Sequence, residues 1–488
     1  MLYDLVQCPR RVAMDLFEDP ARRDPENPFV QLLWEKGHAF ERETIQSLKV
    51  PFTDLHFHRG EERQHLTLEA MRRGDPLIYG GRIAADDLLG DPDLLRRQGK
   101  GYVAGDIKSG TGEEGATEEA DGKPKKHYAV QLALYTDILE RLGLCGGRVP
   151  FIWDVHGAEV VYDLDALQGV RNPTTLWDTY RSCLEEARRI AARAVEPLPA
   201  LAGICKLCHW RTVCTKRLEE LDDPTLIPEL GRSRRDALAA DLPTVKELAR
   251  ADLKKYVRGG KSIFPGIGPE MLSKFCARAR LQTKPGATPY LKGPIDLPDT
   301  EVELFFDIET DPMRDICYLH GFVERRGGDT GTERYKAFFA EMPTPEAEER
   351  TFAEAWTYIQ SSRPCAIYYY SPYERTHWRN LRKRYPHVAT EVEIEALFAA
   401  ETTVDLYNDV VRPKTEWPTR DYSIKTLASF LGFKWRDSNP SGAASIEWYH
   451  RWVESGDPDI RKRILDYNDD DCVATRVLLD GIRGLSLD

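Results

Sequence analysis

Asp106 and Lys108 flank Ile107 at the end of GYVAGDIKS, a run apolar enough to form a buried strand. Residues two apart on a strand face the same way, so both side chains point into one space. A carboxylate there can hold a hard divalent cation, and a lysine beside it can position or deprotonate an attacking water. The run ELFFDIET repeats the geometry with two acids, Asp307 and Glu309. On the face of an apolar strand, two carboxylates repel and lose hydration unless a cation neutralises them. Further on, Tyr467 and Asp471 stand four apart in YNDDDC and share one helical face. A softer ligand chemistry is written in GICKLCHWRTVCTK, where Cys205, Cys208 and Cys214 form C-x2-C-x5-C around a tryptophan. A closed all-thiolate site needs a fourth sulfur. Cys8, in LVQCPRR, is the candidate that would bring the two ends of this region together.

Other residues can join these sets. Upstream of Asp106, GGRIAADDLL offers Asp86 or Asp87. Downstream, Gln131 and Tyr135 are four apart on a helix. WEKGHAFERETI places His38 and Glu41 on another helix, with Glu41 the preferred ligand. CAIYYYSPYERTHWRNL reads as strand, turn and helix, with Glu374 near the helix start. Asp405, in TTVDLYNDV, reads as a supporting acid at a strand end, and Asp469 and Asp470 as solvated charges.

The order helix with acid or His, G-x(n)-D, D-x-K, Q-x3-Y resembles the P-D-(D/E)-x-K nucleases of the RecB type, including the CRISPR-adaptation nucleases related to them. The resemblance implies a restriction-endonuclease-like α/β core. In it Asp86 and Asp106 would bind Mg²⁺ or Mn²⁺ with Glu41, Lys108 would serve the water, and Gln131 and Tyr135 would support the site. An early cysteine followed by C-x2-C-x5-C is similar to the iron-sulfur members of that group. That implies a [4Fe-4S] cluster on Cys8, Cys205, Cys208 and Cys214, with zinc as the chemical alternative. The DIET phrase, Glu374 and Y-x3-D together resemble the DEDD exonucleases of the RNase H-like fold. Asp307, Glu309, Glu374 and Asp471 would then be metal ligands and Tyr467 would orient the water; Glu374 stands where that family has Asp. The chain as a whole resembles bacterial fusions of the two domains.

The elements that must position these groups are mixed. Four strand-like runs (GYVAGDIKS, GRVPFIWDV, ELFFDIET, CAIYYYS) alternate with amphipathic helices, which indicates a multi-domain α/β chain. The expected domains are 1–220 (nuclease with the four-cysteine cluster), 221–298 (a helical, helix-hairpin-helix-like linker) and 299–488 (RNase H-like). In the linker, FPGIGPEMLSKF would offer backbone N–H groups to a phosphate at Gly266 and Gly268, flanked by Lys261 and Lys274. Gly260-Lys261-Ser262 lacks the glycine that a phosphate-binding loop requires five residues earlier, so no NTPase motor is expected. Ser109–Lys126 is low in complexity and reads as a mobile loop.

The 488 residues carry 68 Lys and Arg against 80 Asp and Glu, a net charge of -12, which excludes a wholly basic nucleic-acid binder but leaves room for local basic patches. No apolar run is long enough to span a membrane and the first thirty residues lack a signal-peptide core. A cytoplasmic protein is expected, its cysteines thiols or metal ligands. The expected activity is metal-dependent hydrolysis of DNA, or RNA, with a cutting site followed by a 3′-trimming site. A helicase or CRISPR/defence partner would act in trans. The rival is a nucleic-acid-binding adaptor in which one or both sites are inactive.

Overall fold

The computed structural model describes residues 1–115, 122–169, 173–438 and 440–487. The chain divides into two compact units, Met1–Pro199 with Gly203–Val213, and Ala200–Ala202 with Cys214–Asp488.

The first unit is built on a six-stranded sheet ordered Thr53–Asp54, Leu77–Tyr79, Leu94–Gln98, Gly101–Ile107, Phe151–Trp153, Glu159–Val161. Gly101–Ile107 is buried along its whole length, as expected of a strand covered on both faces. It runs antiparallel to Leu94–Gln98 and parallel to Phe151–Trp153. Gly105 has no side chain for a steric reason: a Cβ there would lie 2.4 Å from the Phe151 ring. The helix Lys126–Arg141 covers one face with Ala129, Val130, Ala133 and Ile138, and Ile45 of the helix Pro28–Ser47 joins the core on the other. The two edges of the low-complexity segment pair as Glu113–Glu114 with Lys123–Pro124; 116–121, where the mobile loop is expected, lie outside the described residues.

The ends of this unit are tied together by polar contacts. Asp15, on the helix Pro9–Phe17, accepts a hydrogen bond from Trp210 Nε1 at 2.9 Å and lies 2.8 Å from His209 Nε2. Asp24 N–H donates to the His209 carbonyl at 2.7 Å, and Thr212 N–H donates to the Asp24 carboxylate at 2.9 Å.

The second unit carries a five-stranded sheet ordered Asp329–Phe339, Ile316–Arg326, Val302–Asp311, Cys365–Tyr369, Thr403–Asp405. The first three form an antiparallel meander and the last two join in parallel. Asp329–Phe339 escaped the sequence reading because it is a polar edge strand (DTGTERYKAFF) without apolar alternation. The helix Pro458–Arg483, capped by Asp457 with proline at its first position, buries Tyr467, Asn468, Asp471 and Cys472.

The middle segment of the chain belongs to this unit and has its own core, drawn from Leu218 to Ala279. It is not helical throughout: a two-stranded hairpin, Val257–Arg258 with Lys261–Ser262, precedes the helix Pro269–Thr283. Its Arg278 is fully buried and reaches Glu416 of the RNase H-like region, Nε to Oε2 at 3.0 Å. Arg235, one of a basic trio that reads as a solvated face, is instead buried against Asp223 at 2.8 Å. Among the described residues no helix is long and apolar enough to cross a membrane.

Candidate active sites

In the first unit the structure brings Glu41, Asp106 and Lys108 together with Asp93. Lys108 Nζ lies 2.9 Å from Asp106 Oδ2. Asp93 sits just before the strand Leu94–Gln98, which pairs with the strand bearing Asp106. Its N–H donates to Asp106 Oδ1 at 3.3 Å, and its Oδ2 accepts from Ile107 N–H at 2.8 Å. Burial pushes the Asp93 carboxyl well above the usual range, and Asp106 and Glu41 push it further while Lys108 opposes them. Lys108 is half-buried and held firmly charged, because Asp106 and Asp93 outweigh its desolvation. Glu41 accepts from the Tyr79 hydroxyl at 2.9 Å, whereas His38 is largely exposed. Gln131 Nε2 donates to the Tyr135 hydroxyl at 2.8 Å, and the Tyr135 phenol is pushed up by burial and by Asp106. Gly90 makes room for that ring, since a Cβ there would lie 2.5 Å from it.

Asp86 and Asp87 are elsewhere, and this corrects the expectation for Asp86. Both occupy the exposed turn of the hairpin Ile83–Ala85/Leu88–Gly90. Asp86 pairs with Arg141 at 2.6 Å and Asp87 with Arg188 at 2.7 Å. The acid that faces Asp106 is Asp93, and the available signal was the dipeptide Pro92-Asp93, the literal start of a P-D…D-x-K series.

In the second unit carboxylate oxygens of Asp307, Glu309 and Asp471 all lie within 4.8 Å of one another, a group that could hold a metal ion. Burial raises the Asp307 carboxyl well above its ordinary range, and Asp471, Glu309 and Glu374 raise it further. Glu309 is pushed up to about 8, first by burial and then by Asp471. Glu374, in the first turn of the helix Tyr373–Arg384, is buried, and its Oε2 has no hydrogen-bond partner among the described residues. Crowded acids with an orphaned oxygen fit a cation better than they fit each other. Asn468 steadies Asp307 by donating from Nδ2 to Oδ2 at 2.7 Å. Gly321 on the adjacent strand is required for that contact, since a Cβ there would fall 1.6 Å from Asn468 Oδ1.

Asp405 supports the neighbouring backbone, mainly through Oδ1. It caps the turn at Leu406 by accepting from Tyr407 and Asn408 N–H, and it also accepts from Ser371 N–H at 3.0 Å. Ser371 is held at φ 94°, a strained conformation for serine, immediately before Pro372 and the helix that places Glu374. Asp469 and Asp470 differ from the expected solvated charges. Both are clamped by Arg436, and Asp470 is buried. Two neighbours of Asp471 were missed by sequence reading: Lys425, with Nζ 3.0 Å from Oδ1, and Trp435, whose Nε1 donates to the same oxygen at 2.6 Å. Lys425 lies on the seven-residue helix Ile424–Phe430 and carries no motif.

Of the cysteines, Cys205 and Cys208 lie on and beside a short 3₁₀ turn, Cys8 caps the helix Pro9–Phe17, and Cys214 lies on the helix Arg211–Leu221. Burial pushes the Cys208 thiol up, and the Cys8 and Cys205 sulfurs raise it further, so these three share one environment. In the middle segment Gly266 adopts φ 73°, and Gly268 caps the helix Pro269–Thr283. Lys261 lies exposed on its hairpin strand, while Lys274 is paired with Glu229 at 2.7 Å.

No curated protein matches the chain. Residues 8–215 match the family model of the PD-(D/E)XK nuclease superfamily, and residues 304–482 match that of the RNase H superfamily. Each match encloses one of the carboxylate sites described above. The chain therefore joins a PD-(D/E)XK nuclease superfamily domain to an RNase H superfamily domain, the fusion that its motifs resemble.

Proposed function

We propose that the protein hydrolyses phosphodiester bonds at two separate metal-dependent centres. The first cuts DNA that is single-stranded or has a free end, and the second trims from a 3′ end. The observation that carries this reading is the crowding of acids at both places, Asp93 with Asp106 and Asp307 with Glu309 and Asp471; burial and the neighbouring acids push Asp93, Asp307 and Glu309 toward the neutral form. Mg²⁺ or Mn²⁺, when bound, would supply Lewis acidity and lower the pKa of water.

At the first centre Glu41, Asp93 and Asp106 would hold the ion. Lys108, 2.9 Å from Asp106, would position or deprotonate the attacking water. Gln131 and Tyr135 fix the wall behind it. At the second centre Asp307, Glu309 and Asp471 would hold metal with Glu374 nearby, and the Tyr467 hydroxyl would orient water. The shared environment of Cys8, Cys205 and Cys208, with Cys214 as the fourth thiolate of the sequence pattern, supports a [4Fe-4S] cluster of structural role. Zinc is the alternative, and iron and sulfide counted per chain after anaerobic purification distinguish the two. Strand separation on duplex substrates falls to a helicase or defence partner.

The test is cleavage of end-labelled single- and double-stranded DNA and RNA with Mn²⁺ or EDTA. Lys108→Ala should remove one set of products and Asp307→Ala the other. Folded, cluster-loaded protein that cuts nothing would favour a binding adaptor instead.

A further inference from the structure

The Lys425 ammonium is held against the acids of the second centre from several sides. It lies 3.0 and 3.2 Å from the two oxygens of Asp471 and 2.9 Å from the Tyr467 hydroxyl. It also sits over two ring faces, 5.1 Å from the centroid of Trp435 and 4.7 Å from that of Tyr467. Ser423 caps the helix that carries it by accepting from Thr426 N–H, which fixes Lys425 in the first turn. Its side chain is about a third exposed.

These contacts use up much of Asp471. Oδ1 receives both Trp435 Nε1 and Lys425 Nζ, and Oδ2 receives Lys425 again. A carboxylate oxygen offers about two acceptor directions. One direction on Oδ2 is left, enough for Asp471 to join Asp307 and Glu309 around one cation. A second divalent ion sharing Asp471 would meet the ammonium as a like charge at short range. Two-ion sites of this chemistry use the second ion to neutralise the leaving side of the reaction.

We propose that the second centre takes a single divalent ion and that Lys425 supplies the positive charge a second ion would bring. This rests on the reading of Asp307, Glu309 and Asp471 as a metal site. It makes Lys425 a charge-placing residue tethered to the protein, present before any metal arrives.

The test counts Mn²⁺ bound per full-length chain by equilibrium dialysis, with Asp106→Asn as the parent so that the first centre is weakened. Asp307→Asn in that parent should lose one ion. Lys425→Met should gain one over the parent, and Lys425→Arg should keep the parent's count. Circular dichroism checks that each variant is folded. A parent that loses two ions on Asp307→Asn overturns the proposal, and so does a folded Lys425→Met protein with an unchanged count. If Asp307→Asn loses none, the metal site itself fails, an outcome distinct from a wrong count. The parent and its Asp307→Asn variant decide the question even if the Met variant does not fold.

Discussion

Glu309 makes the second centre sensitive to pH in a way that its removal should expose. Its carboxyl has an ordinary value of 4.5 and is pushed up to about 8 by burial and by Asp471. The metal-free fold thus favours the protonated form. The stability this contributes is complete below about pH 4.5 and is lost as pH rises through about 8. A displacement of that size corresponds to on the order of 5 kcal/mol. For a domain of this length the shift in melting temperature is on the order of 10 °C. In EDTA, calorimetry of the wild type should show a transition that falls steadily across this pH range. In Glu309→Gln, whose amide cannot ionise, the same transition should fall much less. Saturating Mn²⁺ should restore the wild type most at the alkaline end, because the ion pairs with the ionised form. Parallel pH profiles for wild type and Glu309→Gln would refute the reasoning.

Two further outcomes follow from particular contacts. Asp93→Asn should slow the Lys108-dependent cleavage by roughly 10²–10³-fold, while Asp86→Asn, which breaks only an exposed pair with Arg141, should leave the rate unchanged; labelled-substrate kinetics compare them. Arg235→Ala strands the buried Asp223 carboxylate and should cost about 3–5 kcal/mol, read as a lowered urea midpoint.

Much of the arrangement was legible because periodicity dictates it. Asp106 and Lys108, Asp307 and Glu309, and Tyr467 and Asp471 are pairs whose spacing alone puts them on one face of a strand or helix. Asp93 was not legible in that way, since it lies on the turn before its strand, where spacing says nothing about direction. GGRIAADD drew attention instead to Asp86, whose side chain turns out to the surface at φ 53°. Lys425 and Trp435 were beyond sequence reading for another reason. They reach Asp471 across 46 and 36 residues of chain, a closeness that only tertiary packing creates. Lys274 and Arg235 look like phosphate contacts or surface charge in a string of letters, and each is paired with an acid remote in sequence.

The bond between Arg278 and Glu416 bears on how this gene can be rearranged. Glu416 also receives Lys292 at 3.2 Å and the Tyr422 hydroxyl, so it is the meeting point of three stretches of chain. A recombination event with its breakpoint near residue 298, where the motifs suggest a natural seam, would separate Glu416 from two of its cations. The inherited piece would carry a buried, uncompensated charge at birth. Descendants that exchange the trimming domain are therefore expected to take the chain from about Cys214 onward, so that middle segment and RNase H-like region travel as one heritable block.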